Sequence, residues 1–470
     1  MPMWRAAGYL FLVAMAGLLT GTPALAGCEP SCPPESNGQA AIEAGLLPAI
    51  VFDDAPLTHW SIPERMARYR VPGASIAVIA DGKLAWSAGY GVRKAGGVAE
   101  VSPRTLFQAA SISKPVAAAV ALELAGDSRL QLDGSVNTQL HGWKIPANEH
   151  GDGDAVTLRQ LLSHTSGLGL HGFPGYAGDA ALPTLLQILE GKPPATSPPV
   201  ALIQAPGAGY RYSGAGYEVV QLLLEQVSGQ SFAALADERV FRPLQMQRST
   251  FETALLPRFT DDIARGHGFD GHVVEGGWRR YPALAAAGLW STPTDLAHFA
   301  IAMMDPQHGK PGLGFGVHGE GDAMYFDHAG ANSGYRTYLV VYPARGEGLV
   351  VMTNGDGGEN LIGEIRRSVA RSYGWPDFEP GRVTSMPATT VELDARTGEY
   401  AVERYGFAIS IRRSGDALIA STPRGSSYTF RKVGPGEFTA VEDASSLRFD
   451  HGNPGELEVW GMTARKLPAR

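Results

Sequence analysis

The stretch FQAASISKPVAAAVALELA, residues 107–125, joins a short apolar segment to a long helix rich in alanine and valine. Ser111 and Lys114 stand three residues apart where that helix is predicted to begin. Two interpretations fit this start: it is the capped end of a buried helix, or it carries a nucleophile and its base. The apolar run from 116 to 122 predicts a buried helix in either case.

The spacing of Ser111 and Lys114 has a chemical meaning. Residues i and i+3 share one face of a helix, so the lysine amine can reach the serine hydroxyl. That hydroxyl is a weak nucleophile, and lysine serves as its base only when burial lowers the amine's pKa. Of all the lysines in the chain, Lys114 alone has a serine three residues before it. This adds weight to a catalytic pair, while the capped start of a buried helix stays open at this point. If the pair is catalytic, we expect a local hydrogen-bonding role for Ser113.

Motifs of other catalytic or nucleotide-binding sites are missing from the sequence. It contains no G-x-S-x-G, no H-E-x-x-H and no G-x-x-x-x-G-K-[ST]. His267 and His272 lie in GHGFDGH, residues 266–272, which is more typical of a glycine-rich surface loop than of a metal site. We therefore expect neither a metal nor another cofactor.

Length and composition narrow the possible classes of protein. The chain has 470 residues, which is enough for one large and one small domain. It is 44% apolar and 18% charged, so a sizeable core can form. The net charge is -8, and the basic residues are scattered rather than clustered, so we expect no nucleic-acid partner.

The first residues are typical of an export signal. One positive charge precedes an apolar run from 6 to 19, and the small-residue stretch ALA follows at 24–26. This predicts a secretory signal peptide over 1–26, because the apolar run is too short to span a membrane. We expect a periplasmic or secreted protein.

Two cysteines follow directly after this signal. The residues Leu25-Ala26-Gly27-Cys28 resemble the lipobox of bacterial lipoproteins, in which the cysteine receives the lipid. In the alternative interpretation, Cys28 and Cys32 form a local disulfide or have no role. Any contact with a membrane would depend on lipidation of Cys28.

The order of predicted elements indicates an α+β fold. Two apolar segments flank the turn pair Asp81-Gly82, which predicts a β-hairpin. Helical patterns occupy the middle of the chain, among them 157–162, 217–227 and 296–304, and β-branched segments return at 335–341 and 348–352. We expect an antiparallel sheet whose first and last strands meet, with a helical cluster beside it.

The C-terminal part reads as a separate unit. Residues 376–393 are rich in proline and polar residues and predict a linker. Short alternating runs separated by turn residues follow over 394–470, which predicts a small all-β domain. With a leader over 27–58, this leaves 59–375 as the main domain.

Within 59–375, several segments together resemble the motifs of the serine β-lactamase-like hydrolases. This family includes class C β-lactamases, D,D-peptidases, D-aminopeptidases and family VIII carboxylesterases. The segments occur in the family's order: FQAASISK at 107–114, TLRQLLSHTSGL at 157–168, PG at 206–207 leading to YRYSG at 210–214, AGLWST at 287–292 and HAG at 328–330.

The resemblance implies a β-lactamase/transpeptidase-like fold and assigns roles in catalysis. Ser111 would be the acylated nucleophile and Lys114 its proton partner. Tyr212, the tyrosine of the family's Tyr-x-Asn motif, would shuttle protons to and from the serine and the leaving group. His164 lies in another family segment and is interpreted as structural.

The third motif of the family is matched by residues 328–330. The resemblance places His328 and Gly330 on a strand that lines the site. The N–H of the next residue, Ala331, would pair with that of Ser111 to form an oxyanion hole.

Two departures from the family's pattern bear on the substrate. Gly214 stands where the family often has the asparagine that holds a substrate amide. His328 stands where many members have a lysine, so the fixed positive charge for a substrate carboxylate is weakened. Both changes favour an ester or a small amide over a β-lactam or a D,D-peptide.

Other functions stay open at this point. The first is a penicillin-recognising D,D-peptidase, a D-aminopeptidase or a β-lactamase. The second is a protein without enzymatic activity that senses muropeptides or β-lactams. The C-terminal unit resembles the lipocalin-like β-barrel that follows the catalytic domain in some relatives, and no catalytic residue is assigned to it.

Overall fold

The computed structural model describes residues 35–254, 257–310, 312–423, 425–450 and 455–468. The predicted signal peptide over 1–26 and both cysteines, Cys28 and Cys32, lie outside the described residues. Within those ranges, no helix combines the length and the apolar character that crossing a bilayer requires.

The chain forms a larger mixed part followed by a small all-β part. The larger part contains, in chain order, α1 (Glu35–Ala44), β1 (Ile50–Phe52), α2 (Ile62–Tyr69), β2 (Gly73–Ala80), β3 (Lys83–Gly91), β4 (Phe107–Ala110), α3 (Ser113–Gly126), α4 (Leu158–Leu162), α5 (Leu185–Glu190), α6 (Gly214–Ser228), α7 (Phe232–Ala236), α8 (Pro257–Thr260), α9 (Leu284–Ala287), β5 (Leu289–Ser291), α10 (Pro293–Met303), β6 (Gly316–His318), β7 (Tyr325–Asn332), β8 (Tyr335–Tyr342), β9 (Glu347–Thr353), α11 (Gly358–Tyr373), β10 (Gly381–Val383) and α12 (Thr390–Arg396). The C-terminal part contains β11 (Gly398–Val402), β12 (Phe407–Ser414), β13 (Ala417–Ser421), β14 (Ser427–Gly434), β15 (Glu437–Ala440), β16 (Ser446–Phe449), β17 (Glu456–Val459) and β18 (Met462–Lys466).

A six-stranded sheet in the order β3-β2-β9-β8-β7-β6 forms the centre of the larger part. Its neighbouring strands are antiparallel, and β2 pairs with β9 from Ala74↔Thr353 to Ile79↔Gly348. The prediction that the first and last strands meet is therefore confirmed. The hairpin is also confirmed: Asp81 and Gly82, with φ of 51° and 67°, form the tight turn between β2 and β3.

The two faces of the sheet are buried in different cores. Along β2, Ile76 and Val78 pack with α2 and α11, while Ala77 and Ile79 pack into the larger core that contains α3, α6 and α10. Alternate residues of a strand point to opposite faces, so a strand covered on both sides has no polar face. This explains why β2 is an almost continuous apolar run.

Helix α3 is the central helix of the larger core. Its residues from Val116 to Ala121 are buried, and it has no side-chain cap at its N-terminus. Strand β4 leads into it and pairs with β5, with register shifts between Gln108 and Ala110. The quoted stretch is therefore a buried helix, as predicted, and the short strand before it fixes where it begins.

The C-terminal part is a closed barrel in which β11 to β18 pair consecutively and β11 pairs with β18. Apolar side chains fill its interior, including Ile409, Phe430 and Leu457. This is the barrel-like domain that the resemblance implies. The segments predicted as leader and linker also carry regular structure, because β1 pairs with β10 and α12 begins before the barrel.

A buried ion pair joins α2 to α11 behind the sheet. Arg65 donates to both carboxylate oxygens of Glu364, at distances between 2.6 and 3.0 Å, and the Tyr69 hydroxyl donates to the same carboxylate at 2.6 Å. Both charged side chains are almost fully buried. A desolvated charge is costly when its partner is missing, so this pair must remain complete for the two helices to pack.

We predict that Arg65→Met destabilises the protein by about 3–5 kcal/mol, since Glu364 keeps a buried charge without its hydrogen-bonded cation. Equilibrium denaturation followed by circular dichroism measures the loss. The double variant Arg65→Met/Glu364→Gln removes both charges and keeps an acceptor for Tyr69, so it should recover most of the stability. A loss below about 1 kcal/mol in the single variant, as for a surface pair, would contradict the prediction.

Candidate active site

Ser111 lies in a tight turn between β4 and α3. Ala110, the residue before it, has a φ of 50°, a backbone conformation that residues other than glycine rarely adopt. The Ser113 hydroxyl donates to the Ala110 carbonyl at 2.6 Å and accepts the Leu289 N–H at 2.9 Å. These bonds hold the strained turn, and Ser113 has the local role that the sequence indicated.

Lys114 stands one helical turn further on, facing Ser111. Its Nζ lies 3.0 Å from Ser111 Oγ and donates to the Ala286 carbonyl at 2.7 Å. The side chain is only 2% exposed. Burial lowers the pKa of Lys114 to about 7, while the charge of Glu218 acts in the opposite direction. A neutral amine is therefore available near neutral pH.

Tyr212 covers the lysine from the loop before α6. Lys114 Nζ lies 5.0 Å from the centre of its ring. Ser213, the next residue, caps α6 by accepting the Gly216 N–H, which fixes where this loop ends. Burial raises the pKa of Tyr212 to about 12, and a side-chain hydrogen bond with Ser111 works against this rise. The phenol is therefore protonated at neutral pH and able to donate.

His164 holds the Tyr212 loop in place. Its Nδ1 accepts the Ser213 N–H at 3.1 Å, and its ring packs on the Tyr212 ring with centroids 4.4 Å apart. Burial and the charge of Lys114 lower the pKa of His164 to about 3, so the imidazole is neutral. This arrangement matches the structural role that the sequence indicated.

Strand β7 brings the third motif, residues 328–330, against the turn at Ser111. A Cβ atom on Gly330 would lie 2.3 Å from the Ala109 carbonyl oxygen and 3.2 Å from Ser111 N. Only glycine allows this approach, and it places Ala331 beside Ser111 in the wall of the same cavity. His328 donates from Nδ1 to the Ala329 carbonyl at 2.7 Å. Burial first, and then Lys114, lower the pKa of His328 well below its usual value, so it carries no fixed charge.

Gly214 has a different position from the other predicted site residues. It is buried, and its N–H donates to the Leu170 and His171 carbonyls at 2.9 and 3.2 Å. A Cβ atom there would lie 2.9 Å from the His171 oxygen. An asparagine at this position would require the 170–172 loop to move, so Gly214 belongs to the wall behind the site rather than to its surface.

A cavity of about 670 Å³ opens in front of Ser111. Lys114, Tyr212, His328 and Ala331 line it, together with residues that the sequence did not single out as site residues: His171, Phe173, Tyr210, His318, Asp327, Arg336, Glu359 and Arg366. Tyr210 belongs to the motif YRYSG, and Asp327 directly precedes the motif HAG. Their positions in or beside these motifs could have indicated that both residues line the site. Arg366 and Glu359 come from α11, far along the chain, where the sequence gives no comparable signal.

The cleft also contains a partly exposed polar cluster. Asp327 accepts the Tyr338 hydroxyl at 2.6 Å and lies 3.0 Å from His318 Nε2. Arg366 stacks over the Tyr338 ring at 4.8 Å. Both signs of charge therefore face the cavity that Ser111 lines.

His267 is not the surface-loop residue that its glycine-rich context predicted. It is fully buried, its Nδ1 lies 2.7 Å from the Asn354 carbonyl oxygen, and its Nε2 accepts the Ala95 N–H at 3.0 Å. His272 is exposed and lies beside Asp270. Among the residues described here, no three His, Cys, Asp or Glu side chains are grouped to hold a metal ion.

Comparison with known proteins places this geometry in a family. Residues 61–371 match the protein family described as Beta-lactamase. Protein flp of Staphylococcus aureus strain MW2 is 24% identical over 323 residues, which cover 62% of this chain and 61% of that protein. Penicillin-binding protein 4 of Amycolatopsis lactamdurans is 27% identical over 366 residues, covering 68% of this chain and 90% of that protein. The chain thus spans about 61% of the length of the flp proteins that it matches.

Solved structures with the same fold include an octameric penicillin-binding protein homologue from Pyrococcus abyssi. It has a TM-score of 0.59 and 20% identity, and the match covers 86% of this chain and 98% of that one. SurE in complex with D-Leu has a TM-score of 0.52 and 22% identity, covering 86% of this chain and 97% of that one. At these identities the likeness concerns the fold.

We predict that Gly330→Ala destabilises the protein by about 1–3 kcal/mol, because the new methyl group meets the Ala109 carbonyl in a packed core. Thermal unfolding measures the effect. Gly172→Ala is the matched control, since Gly172 lines the same cavity and its Cβ would meet nothing within 4 Å. Equal stability of the two variants would show that β7 and β4 are not held this closely.

Proposed function

Because the chain belongs to the beta-lactamase family of serine hydrolases, we propose that it forms an acyl-enzyme at Ser111 and hydrolyses esters or small amides. One observation carries the proposal. Lys114 Nζ lies 3.0 Å from Ser111 Oγ, and burial keeps the pKa of that amine at about 7. A base of this pKa, in contact with the hydroxyl, fits general-base catalysis near neutral pH.

In the proposed acylation step, Ser111 Oγ attacks the carbonyl carbon of the substrate while its proton passes to Lys114. The carbonyl oxygen becomes negatively charged and receives hydrogen bonds from the Ser111 and Ala331 N–H groups. When the intermediate collapses, the bond to the leaving group breaks and Tyr212 donates a proton to that group. Lys114 then returns a proton to Tyr212, which restores the phenol.

The second step releases the acid. A water molecule attacks the acyl carbon and gives up a proton to the same Lys114 and Tyr212 pair, and the bond to Ser111 Oγ breaks. The serine oxygen takes back a proton, so the enzyme returns to its starting state. The residues needed for both steps line one cavity.

Two positions support an ester or small amide as the substrate. Gly214 has no side chain to bind a substrate amide, and its backbone is bonded to the 170–171 carbonyls. His328 is neutral because its pKa is lowered well below the usual value, so it offers no charge to a carboxylate. Ester hydrolysis requires neither contact.

A second candidate is a penicillin-recognising peptidase. The similarity to penicillin-binding protein 4 favours it, as do Arg336 and Arg366, whose guanidinium groups lie in the cavity wall. Arg336 is already paired with Asp356 at 2.9 Å, which leaves Arg366 as the better candidate for a substrate carboxylate. A sensor without turnover is the outcome if the site binds penicillin and releases nothing.

Export is also proposed, on the sequence of residues 1–26. A periplasmic or secreted location would give the site access to small molecules outside the cytoplasm. Lipidation at Cys28 would hold the protein at the membrane.

We predict that a fluorophosphonate probe labels the protein and that short-chain p-nitrophenyl esters are hydrolysed, both lost in Ser111→Ala. Lys114→Met keeps the apolar stem and should lower the labelling rate by about 10²–10⁴-fold through loss of the base. Gel fluorescence and ester turnover measure these rates, and thermal unfolding confirms that both variants fold. Penicillin labelling without ester turnover would favour the second candidate. If no probe reacted in a Ser111-dependent way, the proposal that the protein is an enzyme acting through Ser111 would be refuted.

We predict that acylation slows as the pH falls through about 7, because the lowered pKa of Lys114 leaves the amine neutral above this pH and protonated below it. Tyr212, whose pKa is raised to about 12, stays protonated between pH 5 and 9, so its titration does not lower the acylation rate at alkaline pH. Rates of Ser111 labelling between pH 5 and 9 measure the midpoint. A rate that does not change across pH 7 would contradict the role of Lys114 as base.

A further inference from the structure

Glu218, on α6, is a buried carboxyl group that the proposed reaction does not use. It is 0% exposed, and its Oε1 accepts the Ala286 N–H at 3.2 Å. Its Oε2 is buried and has no hydrogen-bond partner among the described residues. An acid in such a place is costly, since both desolvation and the unsatisfied oxygen disfavour it.

Lys114 approaches the same residue, Ala286, from the other side. Its Nζ donates to the Ala286 carbonyl at 2.7 Å, while the Ala286 N–H points to Glu218. The N–H faces the acid and the C=O faces the amine, so the two successive peptide groups that meet at Ala286 are oriented to stabilise a carboxylate on one side and an ammonium on the other. Glu218 and Lys114 are therefore connected through Ala286.

The other groups that face Lys114 bring no negative charge to it. His164 and His328 are held neutral by pKa values that burial lowers to about 3. The Tyr212 ring lies 5.0 Å and the Tyr217 ring 5.9 Å from Nζ, and burial raises the pKa of both phenols.

Glu218 is thus the one carboxyl group among the described residues that acts on the charge of Lys114. Burial raises the pKa of Glu218, and the charge of Lys114 opposes this rise because it favours the carboxylate. Glu225, further along α6, favours the neutral acid. The acid and the amine therefore titrate as a coupled pair close to neutral pH.

We propose that Glu218 is the counter-ion of Lys114 and that, through the backbone of Ala286, it positions the proton on the catalytic amine. This proposal rests on the acyl-enzyme function proposed above. The ammonium that forms when Lys114 takes the Ser111 proton is stabilised by the carboxylate behind it. Glu218 touches no substrate atom and acts as a positioning residue.

The variant Glu218→Gln tests the charge alone, because the amide keeps the size and the acceptor for Ala286. Without the counter-ion, the ammonium form of Lys114 is less stable. The midpoint of the acidic limb of Ser111 labelling should therefore fall by about one pH unit. The labelling rate at pH 9 should also fall by about tenfold, since the charge that develops on Lys114 is no longer balanced.

Gln221→Met is the structural control. Gln221 lies one turn further along α6, and its Oε1 accepts the Leu284 and Ala285 N–H groups at 3.1 and 3.2 Å. This variant removes hydrogen bonds to the same α9 segment without removing a charge. It should lower the thermal stability and leave the midpoint unchanged.

A second measurement is independent of activity. Titration of the Lys114 side chain by carbon NMR on lysine-labelled protein, assigned with Lys114→Met, should give a lower midpoint in Glu218→Gln. If Glu218→Gln does not fold, Glu218→Asp replaces it; this variant keeps the charge and should keep the wild-type midpoint within about half a pH unit.

The outcomes separate the two proposals. An unchanged midpoint in Glu218→Gln by both methods, an equal change in Gln221→Met, or a fall of a full unit in Glu218→Asp would overturn the role of Glu218. Absence of Ser111-dependent labelling in the wild-type protein would overturn the proposed function instead. In that case the NMR titration still decides whether Glu218 is the counter-ion of Lys114.

Discussion

The burial of one amine beside one hydroxyl is the constraint on which the rest of this structure depends. Lys114 can act as the proposed base only without its charge, and burial in an apolar surrounding favours the neutral amine. Helix α3 supplies that surrounding, because its residues from Val116 to Ala121 are alanine and valine packed in the larger core. The left-handed Ala110 then directs Ser111 back over the amine, and the Ser113 hydroxyl holds this turn from both sides. The strain and the buried amine are both costs that the packing of the core has to offset.

The sheet determines which residues reach this pair. Because β2 joins β9 and β9 continues through β8 to β7, the third motif lies against the turn at Ser111, although it is far away in sequence. Gly330 permits the close approach of β7, and the same strand carries His328 and Asp327 into the cavity. In the proposed reaction, the larger core provides the base, and the last strands and α11 provide most of the wall that a substrate would meet. Catalysis and substrate preference would then depend on different parts of the chain.

Sequence reasoning succeeded where the signal is local or follows an ordered set of motifs. Asp81-Gly82 requires left-handed φ values and forms the predicted turn. Ser111, Lys114, Tyr212 and His328 come together as the motif order predicts. The failures depend on tertiary packing: GHGFDGH has the composition of a surface loop, but His267 is buried because Asn354 and Ala95 supply partners for both ring nitrogens. In the sequence, Glu218 is only one polar residue of an amphipathic helix. Its position beside Ala286 depends on the packing of α9 against α6, which the sequence does not indicate.

Helix α6 connects the proposed proton donor, Tyr212, with the proposed counter-ion, Glu218, while Lys114 itself lies on α3. The Tyr212 loop ends at the capped N-terminus of α6, Glu218 lies in its second turn, and Gln221 follows on the same face, where i and i+3 meet α9 together. A shift of α6 would change the position of the phenol and of the carboxylate at the same time, so the proton donor and the charge on Lys114 are geometrically coupled. Gly214 lies in the first turn of this helix with its side-chain position directed at the His171 carbonyl. A larger residue there would displace the 170–172 loop, and the His171 ring of that loop packs on the Tyr212 ring with centroids 4.6 Å apart. The wall of the cavity and the phenol beside Lys114 would therefore move together.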